Sequence, residues 1–353
     1  MNDKVRYLLM GNAESPHLIK WARELVKHVD LYILSFQDID KIIYTIIDKE
    51  KCYSFHKKII VSGGNYHLIK LLPQIRRIIK KIKPEFINAH YITSYGFLAA
   101  LAKPKNSKLI LSAWGSDILI TPFESKIKKK ITQYALKKAY LITSDSQYMS
   151  SKIKFLFSNA RISTFPFGPE KLPECSIKDK NPWLFFSNRA LTPNYRIDWV
   201  IELFSEICKI TFDARLIIAN DGIEKDKLQK KATELCISDK IEWAGFVHAE
   251  KQAEIYKKAT YFFSVPISDA TSVSLLEAMA YGCIPIVSDI PANHEWVKHL
   301  ENGVVVKNNA NIADILKQID YSYVFDMNRT IILNNALFPE KIAELLENIQ
   351  VIK

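Results

Sequence analysis

The residues best suited to chemistry in this chain lie between positions 268 and 282, SDATSVSLLEAMAYG. Asp269 falls on a predicted loop, and the hydroxyl residues Thr271 and Ser272 stand at a predicted helix start. Glu277 follows inside that helix. Backbone N–H groups at a helix start attract anions, and a carboxylate accepts hydrogen bonds from the two adjacent hydroxyls of a ribose. The spacing therefore predicts a diphosphate and ribose site, although each position alone is also typical of an ordinary helix cap and a solvated helix residue.

Short β-prone runs alternate with helical patterns along the whole chain and would position these residues. The predicted strands of the first half are 5–10, 31–35, 58–61, 86–90, 109–112, 141–144 and 162–165, with helices such as 17–27 and 94–102 between them. The predicted strands of the second half are 183–188, 215–220, 240–244, 261–265 and 284–288. This alternation predicts an α/β fold with doubly wound parallel sheets.

The length of 353 residues exceeds a single comfortable core and predicts two domains. Four prolines and a glycine between positions 166 and 182 indicate a connection. We expect a first domain at 1–168, a linker at 169–182, a second domain at 183–335 and a C-terminal helix within 336–353. Two such open domains facing each other would form a cleft, where ligands usually bind.

Positive charge is concentrated in the first domain. Residues 1–168 carry 28 Lys and Arg against 12 Asp and Glu, a net of +16, whereas the remainder carries 21 against 26, a net of −5. Two predicted helices, 68–82 and 126–138, are rich in lysine and arginine. They are either solvated helices with an apolar stripe in the core or surfaces that adhere to an anionic membrane or acceptor.

Several classes of protein lack support in the sequence. Five scattered cysteines without a C-x-x-C pair favour a reducing cytoplasm over a disulfide framework or a zinc site. The chain shows no apolar run of about 18 residues and no visible signal peptide. It also lacks the G-x-G-x-x-G of nicotinamide dehydrogenases, the phosphate loop of NTPases and a nucleic-acid module.

Residues 268–296, SDATSVSLLEAMAYGCIPIVSDIPANHEW, closely resemble the nucleotide-sugar signature of retaining family-4 glycosyltransferases with the GT-B fold. That family has two acidic residues separated by seven others and the sequence E-A-M-A-x-G-x-P. The resemblance implies that Glu277 binds the ribose and that Asp269, in place of the usual Glu, contacts the donor sugar. It also places Thr271, Ser272 and Val273 at the diphosphate, and Glu295 matches the pattern as well.

Other segments of the second half resemble the same family. Arg189 matches a family arginine that neutralises the leaving diphosphate. Tyr195 stands where the family has a lysine, and we expect the adjacent Arg196 to supply that charge. Two cations suffice for this purpose without a metal. Asn220 and Gly222 match the family's turn after the second strand of this domain. Phe246 and Val247 match the segment that contacts the base.

The first half resembles the family more loosely. Gly11 and Asn12 begin the loop that leads to His17. In the family, the corresponding loop approaches the donor phosphate or the acceptor. His90 ends a predicted strand and is a candidate catalytic residue, although a lone histidine is equally often structural. Residues 113–117 resemble the family's H-G-x-D segment with tryptophan replacing the histidine, so that position 114 cannot act as an acid or base. Asp117 remains a candidate for binding a hydroxyl.

The resemblance implies a retaining glycosyltransferase of GT-B fold, and from it we expect the C-terminal helix to pack back on the first domain. We expect a UDP-sugar donor as substrate, no cofactor and no metal. The expected partners are a growing surface glycan, as in lipid-linked oligosaccharide, lipopolysaccharide or capsule synthesis, and an anionic membrane surface met by the basic first domain at the inner face of the cytoplasmic membrane, but no nucleic acid. A non-catalytic sugar-nucleotide-binding partner in a glycan assembly complex and a UDP-sugar epimerase remain open alternatives.

Overall fold

The computed structural model describes residues 4–57, 59, 65–307 and 311–351. The chain divides into two compact units, the first formed by Met1–Phe165 with Pro339–Lys353 and the second by Pro166–Phe338. Residues 169–182, expected from the sequence to be a linker, group with the second unit. The last helix, by contrast, groups almost entirely with the first unit.

The first unit is built on a seven-stranded parallel sheet in the order β3-β2-β1-β4-β5-β6-β7. Its strands are β1 (Arg6–Met10), β2 (Asp30–Ser35), β3 (Cys52–Ser54), β4 (Phe86–His90), β5 (Lys108–Ser112), β6 (Leu141–Ser144) and β7 (Ile162–Thr164). Its helices are α1 (Pro16–His28), α2 (Ile43–Ile46), α3 (Leu72–Ile82), α4 (Phe97–Ala102), α5 (Ser116–Leu119), α6 (Thr121–Glu124), α7 (Lys126–Lys138) and α8 (Gln147–Leu156). The strand order reverses between β1 and β4, which is where open α/β sheets bind ligands.

The second unit is built on a six-stranded parallel sheet in the order β10-β9-β8-β11-β12-β13. Its strands are β8 (Asn181–Ser187), β9 (Arg215–Ala219), β10 (Ile241–Gly245), β11 (Ala259–Ser264), β12 (Ile284–Ser288) and β13 (Val304–Val306). Its helices are α9 (Ile197–Cys208), α10 (Lys225–Glu234), α11 (Ala249–Lys258), α12 (Val273–Ala280), α13 (Pro291–His294), α14 (Ile312–Leu316) and α15 (Tyr321–Asn335). The helix α16 (Phe338–Asn348) follows. Here the order reverses between β8 and β11.

Both faces of the second sheet are covered by apolar side chains. Phe185 and Phe263 belong to a core cluster on one face, while their neighbours Phe186 and Phe262 belong to the cluster on the other. Side chains alternate between faces along a strand, so a strand buried on both faces needs consecutive apolar residues. The near-continuous apolar runs seen in the sequence are therefore the cause of the doubly wound arrangement.

The prediction of two Rossmann-like parallel-sheet domains is confirmed, and eleven of the predicted strands recur within a few residues of their expected positions. The predicted strand at 58–61 lies, apart from residue 59, outside the described residues, and the sequence prediction missed β3 and β13. Helix α15, which precedes the last helix, was not predicted from the sequence. Among the described residues, none of the helices combines the length and apolar character needed to cross a membrane.

Candidate functional site

The start of α12 organises the candidate site of the second unit. Ser272 is the helix N-cap, and its side-chain Oγ accepts a hydrogen bond from the N–H of Leu275 at 3.3 Å. Val273 is the first helical residue. An N-cap of this kind satisfies one backbone donor of the first turn and leaves others for an anion. The predicted hydroxyl-capped helix start is present in the structure.

Arg189 follows β8 and reaches the start of α12, because β8 and β11 are adjacent parallel strands. Its Nη1 donates to the Oγ atoms of Ser272 and Ser274 at 2.5 and 2.9 Å. Its Nη2 forms an ion pair with Asp269 at 2.5 Å. Only 11% of the Arg189 side chain is exposed, and its Nε–H has no hydrogen-bond partner among the described residues. A buried guanidinium with unsatisfied hydrogen-bonding capacity is suited to an anionic ligand.

The two residues that follow in this loop take different positions. The guanidinium of Arg189 stacks on the ring of Tyr195 at 4.2 Å, so the residue in the family's lysine position orients Arg189. Arg196 adopts a left-handed backbone with φ of 48° before α9 and stacks instead on Trp199 at 4.3 Å. Among the contacts of the described residues, Arg196 contacts neither Arg189 nor the serine and aspartate side chains that Arg189 binds. The expectation that Arg196 supplies a second cation therefore lacks support in this geometry.

The loop that carries Asp269 is held by Asn194, which the sequence did not indicate. The Asn194 side chain donates to the Ser268 carbonyl at 3.0 Å and accepts from the Ser268 N–H at 3.3 Å. The Asp269 Oδ1 accepts from the N–H of Ala270 at 3.0 Å. Burial raises the pKa of Asp269, while the neighbouring Arg189 opposes that rise. The ion pair favours the charged form of the carboxylate, whereas burial disfavours it.

Glu277 lies further along α12 and is half-buried. Its Oε2 accepts from the Gln252 side-chain amide at 3.0 Å and lies 3.5 Å from the Tyr256 hydroxyl. The Tyr256 hydroxyl also donates to the Ser274 carbonyl at 3.1 Å and accepts from Asn188 at 3.0 Å. Gln252 and Tyr256 come from α11 and were not singled out in the sequence, because no motif marks them. They fix the orientation of the Glu277 carboxylate.

The remaining donor-side candidates line the same edge of the sheet, after β9 and β10. Asn220 has φ of 110°, and its side chain donates to the Asn188 carbonyl at 3.1 Å. A Cβ at Gly222 would lie 2.3 Å from the Leu191 carbonyl oxygen, so only glycine fits there. Phe246 is 71% exposed after β10, and Val247 packs against the core. The structure thus places these candidates at the carboxyl ends of successive strands.

Thr271 and Glu295 are linked to the region through Trp296. The indole Nε1 of Trp296 donates to the Thr271 Oγ1 at 3.2 Å, which makes Trp296 a further contact that the motif did not predict. Glu295 is exposed immediately before it. Thr271 therefore acts as an acceptor for a protein donor in this structure.

Two histidines and two tryptophans form a ring cluster in the first unit. His90, at the end of β4, packs its ring against Trp21 and Trp114 at centroid distances of 4.9 and 5.3 Å. His17 packs on Trp114 at 5.1 Å. Burial lowers the pKa of His90 to about 3 and that of His17 to about 4. Both imidazoles are therefore neutral at pH 7, and the buried Nε2 of His90 has no hydrogen-bond partner among the described residues.

The loop after β1 closes on this cluster. A Cβ at Gly11 would lie 2.5 Å from the Leu18 Cδ1 and 3.2 Å from the His90 Cβ, so a larger residue would require the Leu18 side chain to move. The Asn12 side chain accepts from the Glu14 N–H at 3.0 Å and shapes the turn into α1. Gly11 and His90 thus meet at the point where the strand order reverses.

Asp117 is wholly buried and binds backbone. Its two carboxylate oxygens accept from the N–H groups of Ile92 and Trp114 at 2.7 and 2.9 Å. Burial raises its pKa to about 6, although these hydrogen bonds act in the opposite direction. Asp117 therefore positions the loops after β4 and β5. A hydroxyl ligand, for which Asp117 was a candidate, would have to compete with these two backbone donors.

Within the parts of the chain that the structure describes, no three His, Cys, Asp or Glu side chains come together in a group that could hold a metal ion.

Comparison with known proteins bears on both units. Residues 6–146 match the family described as glycosyl transferase 4-like, and residues 168–323 match glycosyl transferases group 1. The two matched domains together cover most of the chain. The two domains correspond to the two units of the structure, and the residues around Arg189 and α12 lie in the group 1 domain.

Curated proteins are similar to part of this chain. An uncharacterized glycosyltransferase of Methanocaldococcus jannaschii is 29% identical over 162 residues, which are 45% of this chain and 40% of that protein. The chain spans less than half the length of the curated relatives it matches.

Solved structures show the same GT-B fold. Anabaena HepE, in a structure with UDP, has a TM-score of 0.76 and 15% identity, covering 98% of this chain and all of that one. The lipopolysaccharide outer core galactosyltransferase WaaB has a TM-score of 0.72 and 18% identity, covering 97% and 99%.

Proposed function

We propose that this protein transfers a sugar from a nucleoside diphosphate sugar, a UDP-sugar, to a hydroxyl of a growing surface glycan. The observation that carries the proposal is the convergence of the Arg189 guanidinium with the hydroxyls of Ser272 and Ser274 at the start of α12. A cation, two hydroxyls and a helix N-terminus form a site for a diphosphate. The solved structures of HepE contain UDP or UDP-glucose, which supports this donor class.

Each donor-side residue has a role in the proposal. Arg189 and the first turn of α12 hold the diphosphate, and the ion pair with Asp269 opens so that Asp269 can contact the donor sugar. Glu277, oriented by Gln252 and Tyr256, accepts hydrogen bonds from the ribose hydroxyls. Phe246 and Val247, after β10, lie on the side of the base. The resemblance to the family motif assigns the same roles.

The proposed reaction retains the anomeric configuration. The bond between the sugar C1 and the diphosphate oxygen breaks, and the acceptor oxygen forms its bond to C1 on the same face. The acceptor proton passes to the departing phosphate, so no dedicated carboxylate base is needed. Arg189 and the helix start stabilise the charge that develops on the diphosphate, which makes the proposed mechanism independent of metal and cofactor. Addition of a chelator should leave the rate unchanged.

We place the acceptor in surface glycan synthesis, as lipid-linked oligosaccharide, lipopolysaccharide or capsule. The name of WaaB, a lipopolysaccharide outer core galactosyltransferase, supports this class. In the first unit, His90 is neutral and its Nε2 can make one hydrogen bond to a sugar or acceptor hydroxyl. Five free cysteines fit a reducing compartment, and we propose the cytoplasm.

A panel of UDP-, GDP- and ADP-sugars tests the proposal. We expect slow release of nucleotide from one UDP-sugar, faster release with glycan acceptors, and loss of both in Arg189→Gln. The variant Arg215→Gln, at the opposite end of β9, serves as the matched control and should retain activity. Release from none of the sugars, with or without acceptors, would contradict the proposal.

A non-catalytic sugar-nucleotide-binding partner is the second candidate. The observation in its favour is that Tyr195 replaces the family lysine and Arg196 stacks on Trp199, which leaves Arg189 as the cation of the cluster. Tight binding of a UDP-sugar in thermal shift, without turnover on any acceptor, would identify this function. Isomerisation of the sugar without an acceptor would identify an epimerase instead.

A further inference from the structure

Four large apolar side chains are exposed together on the first unit. Ile120, Phe123, Ile127 and Phe155 are 45%, 51%, 65% and 70% exposed. Phe123 on α6 and Phe155 on α8 stack their rings at 6.5 Å, and the Phe123 N–H donates to the Ile120 carbonyl. Ile127 lies in the first turn of α7, which packs on α6. We call these four residues the apolar patch. Exposed clusters of this kind mark interaction sites.

Lysines border the apolar patch. Helix α7 carries six lysines and no acidic residue, and the Nζ of Lys129 lies 5.8 Å from the centre of the Phe155 ring. Lys128 pairs with Glu124. Lys126, Lys129 and Lys130 have no acidic partner among the ion pairs of the described residues. Apolar rings surrounded by unpaired lysines match a surface with apolar interior and anionic headgroups.

The other basic helix of this unit, α3, buries its own isoleucine stripe, and Ile69 in the 3-10 turn before it is 51% exposed. Helix α3 exposes Arg76, Arg77, Lys80 and Lys81, whereas its Ile75, Ile79 and Ile82 are buried. A charged face of this kind is ordinary for a solvated helix. The sequence pattern did not distinguish the two basic helices. The cluster of exposed apolar side chains distinguishes the region of α6, α7 and α8 from α3.

We infer that the apolar patch is a docking surface for an anionic lipid bilayer. Phe123, Ile127 and Phe155 enter the boundary between headgroups and acyl chains, and the lysines of α7 lie at the lipid phosphates. Charge complementarity favours this occupant over a second copy of the chain, because two lysine-bordered patches would repel each other. The inference is independent of the donor chemistry proposed above.

Vesicle flotation of the full chain tests this inference. We expect recovery with phosphatidylcholine vesicles that contain phosphatidylglycerol, little recovery with phosphatidylcholine alone, and weaker binding as salt rises. The double variant Phe123→Ser, Phe155→Ser should lose binding. Lys129→Gln with Lys130→Gln should weaken binding by about fivefold for each lysine. The matched control Arg77→Gln with Lys80→Gln on α3 should weaken it less than the α7 pair.

Three results would overturn the inference. One is equal recovery with neutral and anionic vesicles, and another is undiminished binding by the phenylalanine variant. The third is a dimer in sedimentation that the phenylalanine substitutions dissociate, which would assign the patch to a second copy. Thermal unfolding and UDP binding of each variant verify folding. Because the substitutions lie outside the donor site, unchanged UDP binding separates failure of this inference from failure of the proposed function.

Discussion

The Asp269 carboxylate forms an ion pair with the Nη2 of Arg189 at 2.5 Å. The Nη1 of the same guanidinium donates hydrogen bonds to the hydroxyls of Ser272 and Ser274. A diphosphate arriving at the start of α12 therefore competes with a side chain of the protein. In the proposed mechanism, the ion pair shields a buried cation in the absence of ligand, and its opening releases Asp269 for the sugar. The proposal therefore couples nucleotide binding to the placement of the Asp269 carboxylate through this contact.

Asp269→Asn should separate binding from transfer. Removing the charge weakens the contact with Arg189, so we expect UDP affinity to rise about two- to fivefold, which corresponds to roughly 0.5–1 kcal/mol less competition for the guanidinium. The transfer rate should fall at least about tenfold, because a charged hydrogen bond to the sugar is lost. Calorimetry and nucleotide release measure the two effects. Asp289→Asn, which removes an acid paired with His294, is the control and should change neither.

Glu277→Gln should weaken UDP binding about tenfold or more, because hydrogen bonds to a charged group contribute roughly 1.5–3 kcal/mol. If the lost contact is to the ribose, the variant and the parent should bind 2′,3′-dideoxy-UDP equally weakly. Calorimetry with both ligands forms a double-mutant cycle. Glu254→Gln on the exposed face of α11 is the control. A loss that persists in full on the dideoxy ligand would place Glu277 away from the ribose.

Tyr195 should act through the orientation of Arg189. Tyr195→Phe keeps the aromatic face and should leave UDP affinity within about twofold, whereas Tyr195→Ala should reduce it about three- to thirtyfold, as expected for a cation–π contact of roughly 0.5–2 kcal/mol. Arg196→Gln should have little effect, since Arg196 stacks on Trp199. If Arg196→Gln reduced affinity as strongly as Arg189→Gln, Arg196 would be the second cation after all.

The first unit should lose stability in acid through its buried histidines. The folded-state pKa values of His90 and His17, about 3 and 4, lie below the ordinary value of 6.5, so the unfolded chain binds more protons between these limits. The free energy of unfolding should therefore fall as pH drops below about 6.5, by up to about 1.4 kcal/mol per pH unit for each histidine. Urea unfolding between about pH 7 and pH 5 measures the slope.

His90→Gln should remove the His90 share of that slope, and His248→Gln, at an exposed position in the second unit, should leave it unchanged. The same slope in the parent and in His90→Gln would show that His90 is protonated in the folded protein.

The sequence predicted most of the fold because strands buried on both faces require long apolar runs, as in β8 and β11. It missed β3 and β13, which have three residues each. Helix α15 has a weak apolar pattern, but its N-cap Asp320, which accepts from the N–H groups of Ser322 and Tyr323, is a signal that could have indicated it.

The candidate site also contains residues that the sequence predicted and residues that it did not. Asp269, Ser272 and Glu277 share one continuous motif, and their neighbourhood follows from helix geometry. Asn194, Gln252 and Tyr256 reach them only through the packing of separate elements, and nothing in their local sequence marks them. Asp117 looked like a ligand-binding acid, yet both of its oxygens are engaged by backbone donors. Burial and hydrogen-bond partners of that kind depend on the tertiary structure.

Helix α16 gives the chain a particular order of assembly. The first unit includes residues from 339 onward, and the Ile342, Leu345 and Leu346 side chains of this helix are wholly buried. During synthesis, all of the second unit leaves the ribosome before this helix does. Until α16 has been synthesised, the nascent first unit therefore exposes the apolar surface that this helix covers in the folded protein. An expressed fragment that ends at residue 165 would leave this apolar surface exposed and should aggregate unless helix α16 is supplied as a peptide.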